Sequence, residues 1–161
     1  PNAIVTVEED TYAAVYATTP KGEEAIVSIL GTGSNCSYFD GKKLHQKVQS
    51  LGYIIMDDCS GNVFGKELIR KYYFNKMPKH IAEEFEKEYN VDPDFIKSKL
   101  YKEPNPNAYL ATFAKFLIKR KEEEFCKKII YKGMKSFVKN YIKQFDNYQE
   151  VPVHFVGSIA I

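Results

Sequence analysis

Residues 25 to 30, AIVSIL, form an unbroken apolar run of strand length, closed on one side by the turn signal Pro20-Lys21-Gly22 and on the other by Gly31-Thr32-Gly33-Ser34. A strand with one wet face alternates apolar and polar residues, so this one suits the interior of a sheet. CSYF and KLHQKV follow and flank Asp40-Gly41, a turn pair that joins antiparallel strands in a hairpin. Upstream, AIVTV at 3 to 7 reads as a short strand. Asp10 then opens DTYAAVYATT, whose small residues favour a close-packed helix with Asp10 as its N-cap. Near the end, VPVHFV at 151 to 156 reads as a strand that Gly157-Ser158 terminates.

Between these strands the period changes. The apolar segment GYII precedes Asp57 and reads as a strand; from Ser60 onward Val63, Phe64, Leu68, Ile69, Tyr72 and Tyr73 share one side of a helix. Short helices are expected at 80–89 and 93–101, the second with a proline at its start, and Asn105-Pro106-Asn107 is expected to cap a helix running through AYLATFAKFLIKR. A long helix from about Glu122 to Phe145 would bury Ile130, Met134, Phe137, Val138, Tyr141, Ile142 and Phe145. Glu123–Lys127 and Glu124–Lys128 would pair along its solvated face. This order of elements describes an α/β domain in which an early hairpin sheet is covered by helices.

A chain of 161 residues that is 44% hydrophobic supports one core and a single domain over 1–161. Lys and Arg number 23 against 21 Asp and Glu, without a sustained basic block, so nucleic acid is not an expected partner. No apolar run approaches the roughly 20 residues that cross a bilayer. Cys36, Cys59 and Cys126 are widely spaced and odd in number, which fits a reducing, cytoplasmic setting better than a disulfide framework. The start at Pro1 and the stop within the apolar HFVGSIAI lead us to expect a piece of a longer chain.

Several residues could carry chemistry, each with a plainer reading beside it. A strand followed by Gly31-Thr32-Gly33-Ser34 can cradle phosphate through successive N–H groups and two hydroxyls, or can be a hairpin turn. Asp10 could accept a proton from a hydroxyl or simply cap its helix. Asp57 and Asp58 could hold a sugar hydroxyl or a hydrated Mg²⁺, while Asp58 or Ser60 could equally cap the next helix. Gly157-Ser158 could pass under a nucleotide base or end a strand. His45, His80 and His154 lack metal-ligand spacing and read as structural or surface residues.

Read in order, VEEDTYAAVYA, AIVSILGTGSNC, SLGYIIMDDCSGNVFGKELI and VHFVGSIAI resemble the N-acetylglucosamine kinase-like family, most of all its bacterial, Bacteroides-type members. The resemblance spans nearly the whole chain. It implies the ribonuclease H-like α/β fold of the superfamily that contains actin, the sugar kinases and the heat-shock ATPases. It also implies ATP and Mg²⁺ as cofactors and transfer of phosphate to the 6-hydroxyl of an amino sugar. Asp10 matches the base near the acceptor hydroxyl, and Gly31, Thr32, Gly33 and Ser34 match the second phosphate-binding loop. Asn35 completes that string, Asp57 matches the first acid of the family's G-D-E-G-S segment at the sugar pocket, and Gly157 with Ser158 matches the turn near adenosine. No protein metal ligand is implied.

Two departures from the family pattern matter. Met56-Asp57-Asp58-Cys59-Ser60 stands where the family has G-D-E-G-S, so Met56 and Cys59 would be strained if those backbones need positive φ. The D-x-G-x-T phosphate loop of the family's N-terminal domain is absent, as is a final helix. The resemblance therefore implies most of a C-terminal domain, whose partner is the N-terminal domain of the same protein and which would be inactive alone. Self-association through an exposed edge stays open. Two alternatives remain: a non-catalytic nucleotide- or sugar-binding module, and an activator ATPase of a CoA-ester reductase or dehydratase.

Overall fold

The computed structural model describes residues 10–160. The expected strand at 3–7 lies outside the described residues. Helix α1 (Asp10–Thr18) leads into β1 (Glu24–Leu30), β2 (Ser34–Asp40) and the two-residue β3 (Leu44–His45). A helical block follows, of α2 (Gly61–Tyr73), α3 (Lys79–Glu88), α4 (Pro93–Tyr101), α5 (Pro106–Thr112), α6 (Ala114–Lys119) and α7 (Glu124–Asn140), with a 3₁₀ turn at Ile142–Gln144 and a last strand β4 (Val153–Val156). The sheet is mixed, in the order β3-β2-β1-β4: β1 pairs antiparallel with β2 and parallel with β4.

The central position of β1 explains its unbroken apolar run. Ile26 and Leu30 face the large core under the helical block, with Cys36 of β2 beside them, while Ala25 and Val27 pack with Phe39 against Ala14 and Val15 of α1. A strand covered on both faces has no place for polar alternation. Past the exposed Glu24 at its start, its one polar side chain, Ser28, is fully buried and donates to Cys36 Sγ across the ladder at 3.3 Å. The expected hairpins are both present: Leu30 opposes Ser34 across Gly31–Gly33, and Asp40 starts the turn into β3.

The helical block holds together by apolar stripes and close crossings. Phe85, Phe113, Phe116 and Phe137 are all but fully buried. Where α2 crosses α5, a methyl on Gly65 would overlap the Leu110 carbonyl oxygen, so the two backbones touch there. Among the described residues no helix is long and apolar enough to cross a membrane.

Four local expectations are corrected. The GYII segment is not a strand: Ile55 and Met56 both donate their N–H to Gly52 O in a turn, and Leu51, Ile54 and Ile55 are exposed, with no strand among the described residues paired to them. The helix expected through 108–120 breaks at Phe113, where N–H groups reach back three residues instead of four as the Phe113 ring turns into the aromatic core. The long helix stops at Asn140, and the 3₁₀ turn carries Ile142 and Phe145 into the core; Ile129 is buried as well, and Ile130 packs at the core's edge. Glu124 pairs with Lys128 at 3.3 Å as expected, but Glu123 lies 3.6 Å from His80 instead of pairing with Lys127.

Candidate functional site

The strands β1 and β4 run parallel, so the loops after both emerge at the same edge of the sheet. Ligands of open α/β sheets gather outside such carboxyl ends. Leu30, the last residue of β1, accepts a hydrogen bond from Ile159 N–H at 3.0 Å, which draws the turn after β4 onto the start of the glycine loop. Gly157 makes the approach possible: its φ is +114°, and a Cβ there would stand 2.4 Å from Leu30 O. No L-residue fits that position without strain.

The loop is tied from the other side by the start of α2. Gly61 N–H donates to Gly31 O at 2.7 Å, and Asn62 donates to Thr32 O twice, from its backbone at 3.1 Å and from Nδ2 at 2.7 Å. Asn62 Nδ2 also reaches Asp57 Oδ2 at 3.3 Å. Asp57 is buried against Gly33, where an added methyl would come within 2.8 Å of its carboxylate. With its carbonyls engaged, the loop keeps other donors: among the described residues the N–H groups of Thr32 and Gly33 have no partner, and Ser34 Oγ is buried without one. Buried polar atoms are normally satisfied, so the orphaned hydroxyl suits a polar ligand.

The acidic segment is clamped by α7 and the residue after it. Asp57 N–H donates to Tyr141 OH at 3.3 Å, while Asp58 Oδ2 accepts from Ser136 OH at 2.8 Å and Asn140 Nδ2 at 2.7 Å. Ser60, as expected, caps α2 by accepting from Val63 N–H. Asp57 and Cys59 have positive φ, at 70° and 62°, whereas Met56 does not. The strain expected of the missing glycines thus falls on Cys59 alone of the two. Asp57 is the other left-handed residue, and aspartate tolerates that region better than most.

The expected site residues divide into two groups. Gly31, Thr32, Gly33, Asp57 and Gly157 join one set of contacts, with Ser34 buried beside it and Ser158 exposed in the adjoining turn. Asn35 is turned to local work: its Oδ1 accepts from Cys36 N–H at 2.7 Å and from Gln46 Nε2 at 3.1 Å. Asp10 is exposed at the start of α1, on the opposite face of the sheet from the helical block, and no contact within the described residues links its carboxylate to the loop. Asn62, fully buried at the centre of the network, is the residue that sequence reading passes over. Its only signal is an asparagine, a poor helix former, at the second helical position after Ser60.

The cysteines stand apart from this chemistry. Burial pushes Cys36 and Cys126 up to about 11 and Cys59 up to about 12, so none is a thiolate at neutral pH.

This mixed α/β sheet, whose parallel strands deliver two glycine turns to one edge, matches the fold of sugar-kinase-like proteins. The fold is similar to that of a putative N-acetylglucosamine kinase from Porphyromonas gingivalis, with a TM-score of 0.84 and 32% identity over 91% of this chain and 51% of that one. The Chromobacterium violaceum protein of the same name shares the fold at a TM-score of 0.70 and 16% identity, over 93% of this chain and 52% of that one. No protein-family model matches the chain, and no curated protein matches it by sequence. By motif order and fold together, the chain is similar to the N-acetylglucosamine kinase-like proteins. It spans about half the length of the structures it matches.

Proposed function

We propose that this chain supplies the phosphate-binding loop and part of the sugar pocket of an ATP-dependent amino-sugar kinase. The observation that carries the reading is the convergence of three sequence-distant motifs, Gly31–Ser34, Asp57–Asn62 and Gly157–Ser158, on the carboxyl end of β1. The N–H groups of Thr32 and Gly33 and the hydroxyls of Thr32 and Ser34 would receive phosphate oxygens of ATP. Gly157 and Ser158 would lie by the adenosine. Asp57 and Asn35, the latter next to the glycine loop, would meet the sugar.

In the proposed reaction the 6-hydroxyl oxygen of N-acetylglucosamine, or of a related amino sugar, bonds to the γ-phosphorus while the bond to ADP breaks. Asp10 takes the hydroxyl proton. Such transfer relies on positioning and on neutralising phosphate charge more than on covalent chemistry. Mg²⁺ would accompany the triphosphate. Because each neighbour is about twice as long, the activity is proposed for the protein carrying the matching other half.

The test is a coupled ADP-release assay with N-acetylglucosamine and Mg-ATP on that longer protein. Turnover that falls by about 10²–10⁴-fold in Asp10→Asn supports the kinase with Asp10 as base. An inert protein that still binds sugar and nucleotide by calorimetry identifies the non-catalytic module instead, a reading that the left-handed Cys59 in the sugar segment favours.

A further inference from the structure

Between helices α2 and α7 lies a cleft of about 450 Å³, within the size range of small-molecule sites, bordered at one end by Asp58 and Cys59 of the acidic segment. Its lining includes none of residues 31–34 or 157–158. Its apolar lining is formed by Val63, Phe64, Phe125 and Ile129, with the Phe64 ring packed against Gly133. Its walls carry six cations, Lys66, Arg70, Lys71, Lys76, Lys128 and Lys132, against two acids, Asp58 and Glu67. The whole chain has a net charge of only +2, so positive charge is concentrated here.

The two acids leave an excess of four positive charges along the lining. Asp58 is held by Ser136 and Asn140, and Glu67 pairs with Lys71 at 3.5 Å along its own helix. Lys128 is drawn to Glu124, and Arg70 and Lys76 both lie over the Phe74 ring, at 5.2 and 5.8 Å from its centroid. Lys66 on α2 and Lys132 on α7 have no ion-pair partner among the described residues. Two free ammonium groups on facing helices, beside an aromatic lining, match an anion with an apolar body.

We propose that this cleft is a second ligand site, which binds a small organic phosphate whose ring or chain rests on Phe64 and Phe125 while its phosphate meets Lys66 and Lys132. The site is linked to the glycine loop by α2 itself. Gly61 and Asn62 hold the loop at one end of the helix, and Lys66 and Arg70 line the cleft one and two turns further on. A ligand there is placed to act as an effector rather than as a substrate.

The experiment is amide chemical-shift mapping of the full chain with 1-naphthyl phosphate, with 1-naphthol and inorganic phosphate as separate arms. We expect shifts concentrated at 63–71 and 125–136 and affinity at least about tenfold higher than for either half-ligand, as charge and apolar contact act together. The double variant Lys66→Gln/Lys132→Gln should lose at least about tenfold in affinity, while Lys97→Gln, on α4, should match the unaltered chain. Shifts confined to 31–34 and 157–158, equal binding of 1-naphthol, absence of saturable binding, or unchanged affinity in the double variant would each overturn the proposal.

Discussion

Single residues in this chain show how much one backbone angle or one carboxylate decides. Asp40 closes the β2–β3 turn by accepting the N–H groups of Lys43 and Lys42, at 2.7 and 2.9 Å, and by facing His45 Nε2 at 2.7 Å. The Lys43 amide first, then His45, then the Lys42 amide hold its pKa at about 2, below the ordinary 3.8. A carboxylate with a depressed pKa stabilises the fold fully above its unfolded value and loses that contribution as pH falls from there through its folded value. Asp40→Ala should therefore melt lower than the unaltered chain at pH 6, and the gap should close as pH drops from about 4 toward about 2. Thermal melts of both proteins across that window check it. Gly157→Ala meets two obstacles, a φ of +114° and a Cβ placed 2.4 Å from Leu30 O. It should cost about 2–4 kcal/mol in denaturant unfolding and release the Ile159–Leu30 hydrogen bond.

At the scale of elements, stability rests on a few anchors between helices. Arg120, just past α6, donates to Glu84 from Nε and to Glu88 from Nη2, both on α3, and its guanidinium lies 3.8 Å from the Phe116 ring centroid. Lysine carries the charge but cannot supply two planar donors and a stacked face together. Arg120→Lys should lower unfolding stability by about 1–2 kcal/mol, measured by urea titration. The elements also show what a sequence can carry. Helix α4 is legible to the residue because Asp92 caps it, accepting from Asp94 and Phe95, and Pro93 starts it. The two hairpins are legible because Gly31–Gly33 and Asp40–Gly41 are local turn chemistry. The break at Phe113 and the exposed turn at 51–56 are not, since both depend on whether a distant partner is present. Asn62 escapes for the same reason: its partners Thr32 and Asp57 meet it only in the folded chain.

At the scale of the molecule, one sheet edge gathers motifs that lie up to about 125 residues apart in sequence, and the glycine loop is at once a hairpin turn and the centre of that gathering. The two readings of Gly31-Thr32-Gly33-Ser34 are compatible as structure, but they differ in what they require of Gly31. Its backbone lies outside the left-handed region, and a Cβ there would meet nothing within 4 Å. The fold does not need a glycine at that position, whereas a phosphate brought against the loop's backbone does. Calorimetric titration of Mg-ATP into the unaltered chain and into Gly31→Ala, with thermal melts of both, separates the two. The phosphate-loop account predicts that the unaltered chain binds and that the variant binds at least about tenfold more weakly with a melting temperature within about 2 °C. Equal affinity in the two proteins, or no binding by the unaltered chain, would contradict it.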